Sequence, residues 1–225
     1  MKRIFFLLAI AMLALFSVAC ANDTNNNATK PTTESSNKTT VANNTHLAGK
    51  KILVAYFSAT NNTKHVAEEI AKATGADIYR IEAVQSYSVN PYDDKDRIQK
   101  EAYENLRPEV KLPLSKSEMA KYDVIFVGSP IWWHQPAMVV CTFLENYDLS
   151  SKTIVPFFTY GARSYLNESM QRIYKSTPNS VHMPANLPKD IDPDNIQQPQ
   201  NDDDGIIMPA DVDNIDAWLK ALQLK

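Results

Sequence analysis

An α/β fold with a doubly wound, five-stranded parallel sheet in the order 2-1-3-4-5 is predicted by three features of this chain. Apolar runs of strand length alternate with stretches of helical periodicity from Lys50 onward. Three of those runs, "KILVAYFS" (51–58), "DVIFVGSP" (123–130) and "KTIVPFFTY" (152–160), are apolar almost throughout, as strands covered on both faces must be. They are the first, third and fourth strands in chain order, so they belong in the middle of the sheet, with a helix layer on either side. That order opens a ligand crevice at the carboxyl ends of strands 1, 3 and 4.

The remaining elements follow in sequence. After strand 1, Val66, Ala67, Ile70, Ala71 and Thr74 form one stripe of a helix, and Gly75 ends it as a left-handed cap. "DIYRIEAV" (77–84) alternates as an edge strand does. A polar, tyrosine-rich stretch leads into a helix around Asp94 to Leu106, and within it "QSYSVNPYDDKD" (85–96) is the candidate cover over the crevice. "IWWHQP" and an apolar helix from Pro136 to Tyr147 follow strand 3. Leu166, Met170, Ile173 and Tyr174 share a face of the helix after strand 4; "SVHM" (180–183) is a weak fifth strand. Val212, Ile215, Trp218, Leu219 and Leu222 mark a last helix. Residues 184–209 read as a solvated insertion. Asp190, Asp192 and Asp194 have calcium-loop spacing, but Pro193 interrupts it, Asn195 replaces the turn glycine and Asn201 stands where a bidentate Glu is required.

Residues 47–225 thus form one domain, and what precedes them is of another kind. "MKRIFFLLAIAMLALFSVAC" has a basic start, an apolar run from Ile4 to Phe16 that is short for a membrane span, and small residues before Cys20. "SVAC" resembles the bacterial lipoprotein signal, with Ser17 in place of the usual leucine, so residues 1–20 are expected to be a signal peptide ending at a lipidated Cys20. Residues 21–46, rich in Asn, Thr and Ser, have nothing to bury and are expected to be a disordered tether. The expected location is the outer side of the bacterial cytoplasmic membrane or the cell envelope. With Cys20 lipidated, Cys141 has no partner, and its apolar surroundings make it a buried hydrophobe rather than a reactive thiol. A net charge of -3 gives no footprint for nucleic acid or an anionic membrane surface.

Three loops converge on the crevice: "SATNNT" after strand 1, "SPIWWHQP" after strand 3 and "TYGARS" after strand 4. The first offers the hydroxyls of Ser58, Thr60 and Thr63, the amide of Asn62, and the N–H groups that open a helix, a set that suits a phosphate without any arginine. The same residue types also make an ordinary helix cap. Lys64 points outward on this reading. Neither G-x-x-x-x-G-K-[ST] nor G-x-G-x-x-G is present, which disfavours a nucleoside triphosphate or a dinucleotide and leaves a monophosphate. Of Trp132 and Trp133, one can pack inward while the other offers a stacking face to a flat ring. Tyr160 adds an aromatic and Arg163 a cation. His65, His134 and His182 show no metal-ligand spacing; His65 reads as exposed, and only His134 lies near the crevice.

These residues resemble the flavodoxins, and more closely the flavodoxin-like group with "PIWW" after strand 3 and S-x-T-G-N-T after strand 1. The likeness runs from Lys51 to about Lys175 and resumes in "DAWLKAL"; "YDVIFVGSPIWW" and "FLENYDLSSKTIVPFFTYG" are its most specific parts. It implies FMN, with Ser58, Thr60, Asn61, Asn62 and Thr63 at the phosphate. Pro130, Ile131, Trp132, Trp133, Thr159, Tyr160, Gly161 and Arg163 would surround the isoalloxazine. Asn61 takes the glycine position of the phosphate loop, where positive φ is expected and Asn is the best-tolerated substitute. The strand-4 loop departs too, with "GARS" for a glycine-richer turn; Arg163 lies either at the flavin N1/C2=O edge, raising the potential, or in a salt bridge elsewhere. The function implied is electron transfer through FMN, as a carrier or a small reductase of a quinone-like acceptor, or an FMN enzyme with its own small substrate. A member that has lost flavin and serves as a surface binding module is the alternative. No Ser–His–Asp set or G-x-S-x-G supplies a proton-transfer catalyst or nucleophile.

Overall fold

A computed structural model describes residues 47–160, 165–185 and 215–224. The sheet is built from β1 (Ile52–Tyr56), β2 (Asp77–Arg80), β3 (Val124–Trp132), β4 (Gln135–Pro136), β5 (Thr153–Thr159) and β6 (Val181–His182). Its order is β2-β1-β3-β5-β6, all parallel, with β4 paired antiparallel to β3. Leaving out β4, this is the order 2-1-3-4-5, and the three most apolar strands are central. The helices are α1 (Asn62–Thr74), α2 (Lys95–Tyr103), α3 (Lys116–Met119), α4 (Met138–Glu145), α5 (Leu166–Lys175) and α6 (Ile215–Ala221).

Burial explains the arrangement. All of β1 is buried, as are the first six residues of β3 and of β5, and Phe126, Phe143, Phe157, Phe158 and Trp218 are among the largest wholly enclosed side chains. Gly128 is required at the sheet's centre, because a Cβ there would run into Phe157 and Tyr56. Cys141 is fully buried.

Several elements differ from expectation. The strand predicted over 77–84 ends at Arg80; beyond it the chain leaves the sheet, and Ala83 bridges to Val110 instead. The helix predicted from Asp94 to Leu106 is a 3-10 turn over Pro91–Asp94 followed by α2, because Pro91 pre-sets a tight first turn and Asn90 caps it by accepting from the Tyr92 N–H. The helix predicted from Pro136 begins at Met138, since Gln135 and Pro136 pair back onto Trp132 and Ile131. The short α3 was not predicted, although Ser115 and Glu118 form a capping box there. Val212, Arg163, Gly161, Cys20, the tether and almost all of the 184–209 insertion lie outside the described residues.

Candidate functional site

The carboxyl ends of β1, β3 and β5 open into a crevice of about 970 Å³. Thr60, Asn62, His65 and Val66 line it from the β1–α1 side, Pro130 to His134 from the end of β3, and Phe158, Thr159 and Tyr160 from the end of β5. Pro91, Tyr92, Lys95 and Ile98 close another wall, so the 85–96 stretch does border the site. Thr60 and Asn62 of the first predicted loop, Pro130 to His134 of the second and Thr159 and Tyr160 of the third are thus brought together, while Ser58 borders a neighbouring pocket with Arg80 and Tyr87.

The β1–α1 loop leaves several of its donors without an acceptor in the protein. Asn61 has φ 67 and ψ 0, the left-handed conformation anticipated at the glycine position, and α1 begins directly after it. The Asn61 side chain makes no cap hydrogen bond, so the first N–H groups of the helix have no side-chain cap. The Ser58 Oγ is buried and has no hydrogen-bond partner. A buried, unanswered hydroxyl costs about 1–3 kcal/mol, and the stretch that keeps it also keeps uncapped amides at the positive end of a helix dipole. Thr60 and Asn62 complete the cradle.

Two features of this loop add to the expectation. The buried Thr63 hydroxyl lies 2.7 Å from the Oγ1 of Thr159, a crevice residue, so it ties α1 to β5 while keeping hydrogen-bonding capacity of its own. Arg80, at the end of β2, donates from Nη2 to the Ser58 carbonyl at 2.8 Å and so braces the loop from behind. Sequence could flag Arg80 only as a polar residue at an edge. Lys64 is turned away as expected, paired with Glu68 at 3.3 Å.

The β3 end is aromatic and already assembled. Trp132 meets Phe57 and Tyr87 edge-on, both at ring separations of 5.3 Å, and Phe57 meets Tyr87 at 5.3 Å as well. Tyr87 is fixed from behind. Its hydroxyl donates to Glu101 Oε2 at 2.6 Å, and the Arg97 guanidinium lies 4.0 Å from its ring centre. Arg97 also donates to Glu101 and to the carbonyls of Gln85 and Ser86. Burial, and then the hydrogen bond to Glu101, hold the Tyr87 phenol far above its ordinary titration range, so it stays neutral. Trp133 is the exposed member of the pair, at 37%. Both rings border the crevice; Trp132 is the one packed inward.

Trp133 and His134 form the two-residue loop between β3 and β4, with φ 48 and φ 68. Both central residues are left-handed, a type I′ geometry that ordinarily takes Asn and Gly. Each bulky residue there costs about 1–2 kcal/mol. The His134 ring stacks on Tyr165, 3.4 Å between centres at 18°, and Gln135 accepts from the buried Arg172 Nε at 2.9 Å. Phe57, Tyr87, Tyr165 and the Gln135–Arg172 pair were not foreseen, since no local pattern connects residues so far apart in sequence. His65 is exposed, as expected, but it lines the crevice from α1, so His134 is not alone there; His182 is remote, on β6. No group of His, Cys, Asp and Glu suited to a metal occurs among the described residues.

Comparison with known proteins agrees with this fold. The protein-family model described as Flavodoxin matches residues 51–198. No curated protein matches the chain. Among similar solved structures, a candidate flavoprotein from Bacteroides eggerthii is 30% identical with a TM-score of 0.56, over 78% of this chain and 99% of its own. One from Bacteroides uniformis is 32% identical with a TM-score of 0.51, over 60% and 88%. A flavoprotein of Lactobacillus acidophilus, solved in complex with FMN, is 23% identical with a TM-score of 0.51, over 59% and 89%. The last likeness is one of fold.

Proposed function

The chain belongs to the flavodoxin family, and from that premise we propose that it is an FMN protein moving electrons through the flavin, as a carrier or as a small reductase of a quinone-like acceptor. One observation carries the reading most directly: the buried Ser58 hydroxyl, without a partner, beside the uncapped start of α1. These are donors that lack an acceptor, and a phosphate supplies one. FMN is the cofactor. Ser58, Thr60, Asn62, Thr63 and the first amides of α1 would hold its phosphate, with Asn61 giving the loop its left-handed turn. Pro130, Ile131, Trp132, Trp133, Thr159 and Tyr160 would border its ring, and Gly161 and Arg163 belong to the same set. The FMN bound to the Lactobacillus relative, on the same fold, supports the assignment.

When bound, the flavin supplies the redox chemistry. The protein's part is to grip the phosphate, to pack the ring against Trp132 and Trp133, and to keep the neighbouring Tyr87 neutral. The test is a titration of cofactor-stripped protein with FMN and with riboflavin, following tryptophan and flavin fluorescence. Tight FMN binding with riboflavin weaker by about a hundredfold or more supports the phosphate cradle. Binding of neither overturns the reading and leaves the crevice to a flavin-free binding module.

The setting of this chemistry is part of the same proposal. The protein is exported and held to the membrane through lipid on Cys20, with 21–46 as tether, and meets a redox protein or a small quinone-like acceptor there. Its only membrane contact is the anchor, and it has no nucleic-acid partner. Labelled fatty acid incorporated by the native chain and not by Cys20→Ser supports the anchor; equal labelling, or none in either, overturns it.

A further inference from the structure

The turn that carries the tryptophans is strained in a way it cannot sustain alone. Trp133 and His134 are consecutive, bulky and left-handed. Nothing in their chemistry favours this conformation, so it persists only because surrounding contacts impose it. Two of those contacts come from α5 and the residue before it, beside an edge-on contact of Trp133 with Tyr103 of α2, 6.4 Å between ring centres. The Gln135 side chain at the exit of the turn is wholly buried and accepts from the Nε of Arg172, itself buried. The His134 ring lies against Tyr165, the residue immediately before α5, which is also left-handed at φ 71. A ring stack and a buried hydrogen bond therefore hold the two consecutive residues at the end of the turn.

We infer that Tyr165 and Arg172 are positioning residues for the flavin ring: α5 imposes the left-handed Trp133–His134 turn and so sets the aromatic wall against which the isoalloxazine packs. The inference rests on the FMN reading of the crevice. The strain has a place in it. A turn relaxed to negative φ swings both its side chains and its central peptide plane away from the wall, while a turn fixed from behind presents them ready-made. Helix α1 and the β1–α1 loop take no part in these contacts, so the phosphate end is left alone.

Two variants test this, Tyr165→Leu and His134→Gly, each measured for FMN affinity, riboflavin affinity, midpoint potential and melting temperature. Tyr165→Leu keeps the fold's apolar packing but loses the stack. His134→Gly loses the stack and at the same time removes the cost of a left-handed side chain. In both, FMN and riboflavin affinities should fall by the same factor, about tenfold or more, with a shifted potential. In His134→Gly the melting temperature should hold or rise while affinity falls, a divergence that a merely structural role does not produce. His134→Phe, which can keep a stack on Tyr165, should recover most of the affinity. Unchanged affinities and potential in folded variants, or a loss confined to FMN, overturn the inference and leave the FMN reading standing. Native protein that binds neither flavin overturns both.

Discussion

At one end of the crevice stand Thr60, Asn62 and the start of α1, which has no side-chain cap, on a loop that also carries a buried Ser58 hydroxyl with no partner. At the other, Trp132 is enclosed by Phe57 and Tyr87, and Tyr87 is in turn fixed by Glu101 and Arg97. The first region is incomplete without a ligand. The second is complete without one. Unsatisfied donors gain most from a bound anion, so the preference for FMN over riboflavin should reside at the phosphate end. Preassembled aromatic packing holds both flavins alike and fixes geometry, so affinity common to the two, potential and selectivity among acceptors should reside at the ring end.

The sharpest way to break this division is to remove donors. Ser58→Ala with Thr60→Ala should weaken FMN by about 1.5–3 kcal/mol for each charge-assisted bond lost, leaving riboflavin affinity unchanged. Stability should hold or rise, because Ser58→Ala removes a buried hydroxyl that the protein alone does not satisfy. Parallel titration and thermal melting check both signs. Equal loss for FMN and riboflavin would place the phosphate elsewhere. Thr63 is left out because its hydroxyl also ties α1 to β5 through Thr159, so its removal would mix a loss of stability with a loss of binding.

The complementary change is Trp132→Ala. It should cost about 2–3 kcal/mol of stability, below the range for a fully buried Trp because the ring is only partly buried. It should shift the flavin potential and leave the ratio of FMN to riboflavin affinity where it was. Denaturant unfolding and a redox titration report these separately. A smaller effect is expected from Arg80→Ala, which removes the bond to the Ser58 carbonyl and a cation beside the loop. FMN should weaken by about 1 kcal/mol with riboflavin unaffected, and the difference should shrink as salt rises.

A control lies outside both ends. His182, on β6, is stacked on Tyr174 at 3.9 Å and held near Thr177; burial pushes its pKa below the ordinary 6.5. Its charged form is disfavoured in the fold, so the unfolded chain takes up its proton first. Stability is therefore complete above about pH 6.5, falls as pH drops below that value, and stops falling once the folded pKa is passed. Melting curves from pH 7.5 to 5 should show this loss in the native protein and less of it in His182→Gln, with flavin affinity at pH 7.5 the same in both.

The sheet order was legible in the sequence because a strand buried on both faces admits few polar residues, and three such runs stand out. The crevice followed from that order. What could not be read were long-range polar pairings. A threonine at a helix start serves a ligand or a distant neighbour equally well, and Thr159 is 96 residues from Thr63. The turn at Trp133 and His134 carries no glycine or asparagine to announce it, because α5 rather than local preference imposes it. Arg80 was passed over since an arginine ending an edge strand is ordinarily a solvated one.

Asn61 is where sequence and structure agree most closely, and it yields the smallest expected effect. The residue stands in a glycine position and is left-handed, at φ 67. Asn61→Gly relieves about 0.5–1 kcal/mol of local cost but gives the unfolded chain a similar amount of extra freedom. The two nearly cancel, so stability should change by less than about 0.5 kcal/mol, and FMN affinity by no more than about twofold, since the loop already has the conformation that glycine would permit. Asn61→Ala has no such cancellation and should lose about 1 kcal/mol of stability. A tenfold gain in FMN affinity on Asn61→Gly would mean that the amide side chain, rather than the backbone, obstructs the phosphate. The cradle described here would then be a compromised site, and the contrast between its two ends would owe as much to loss as to design.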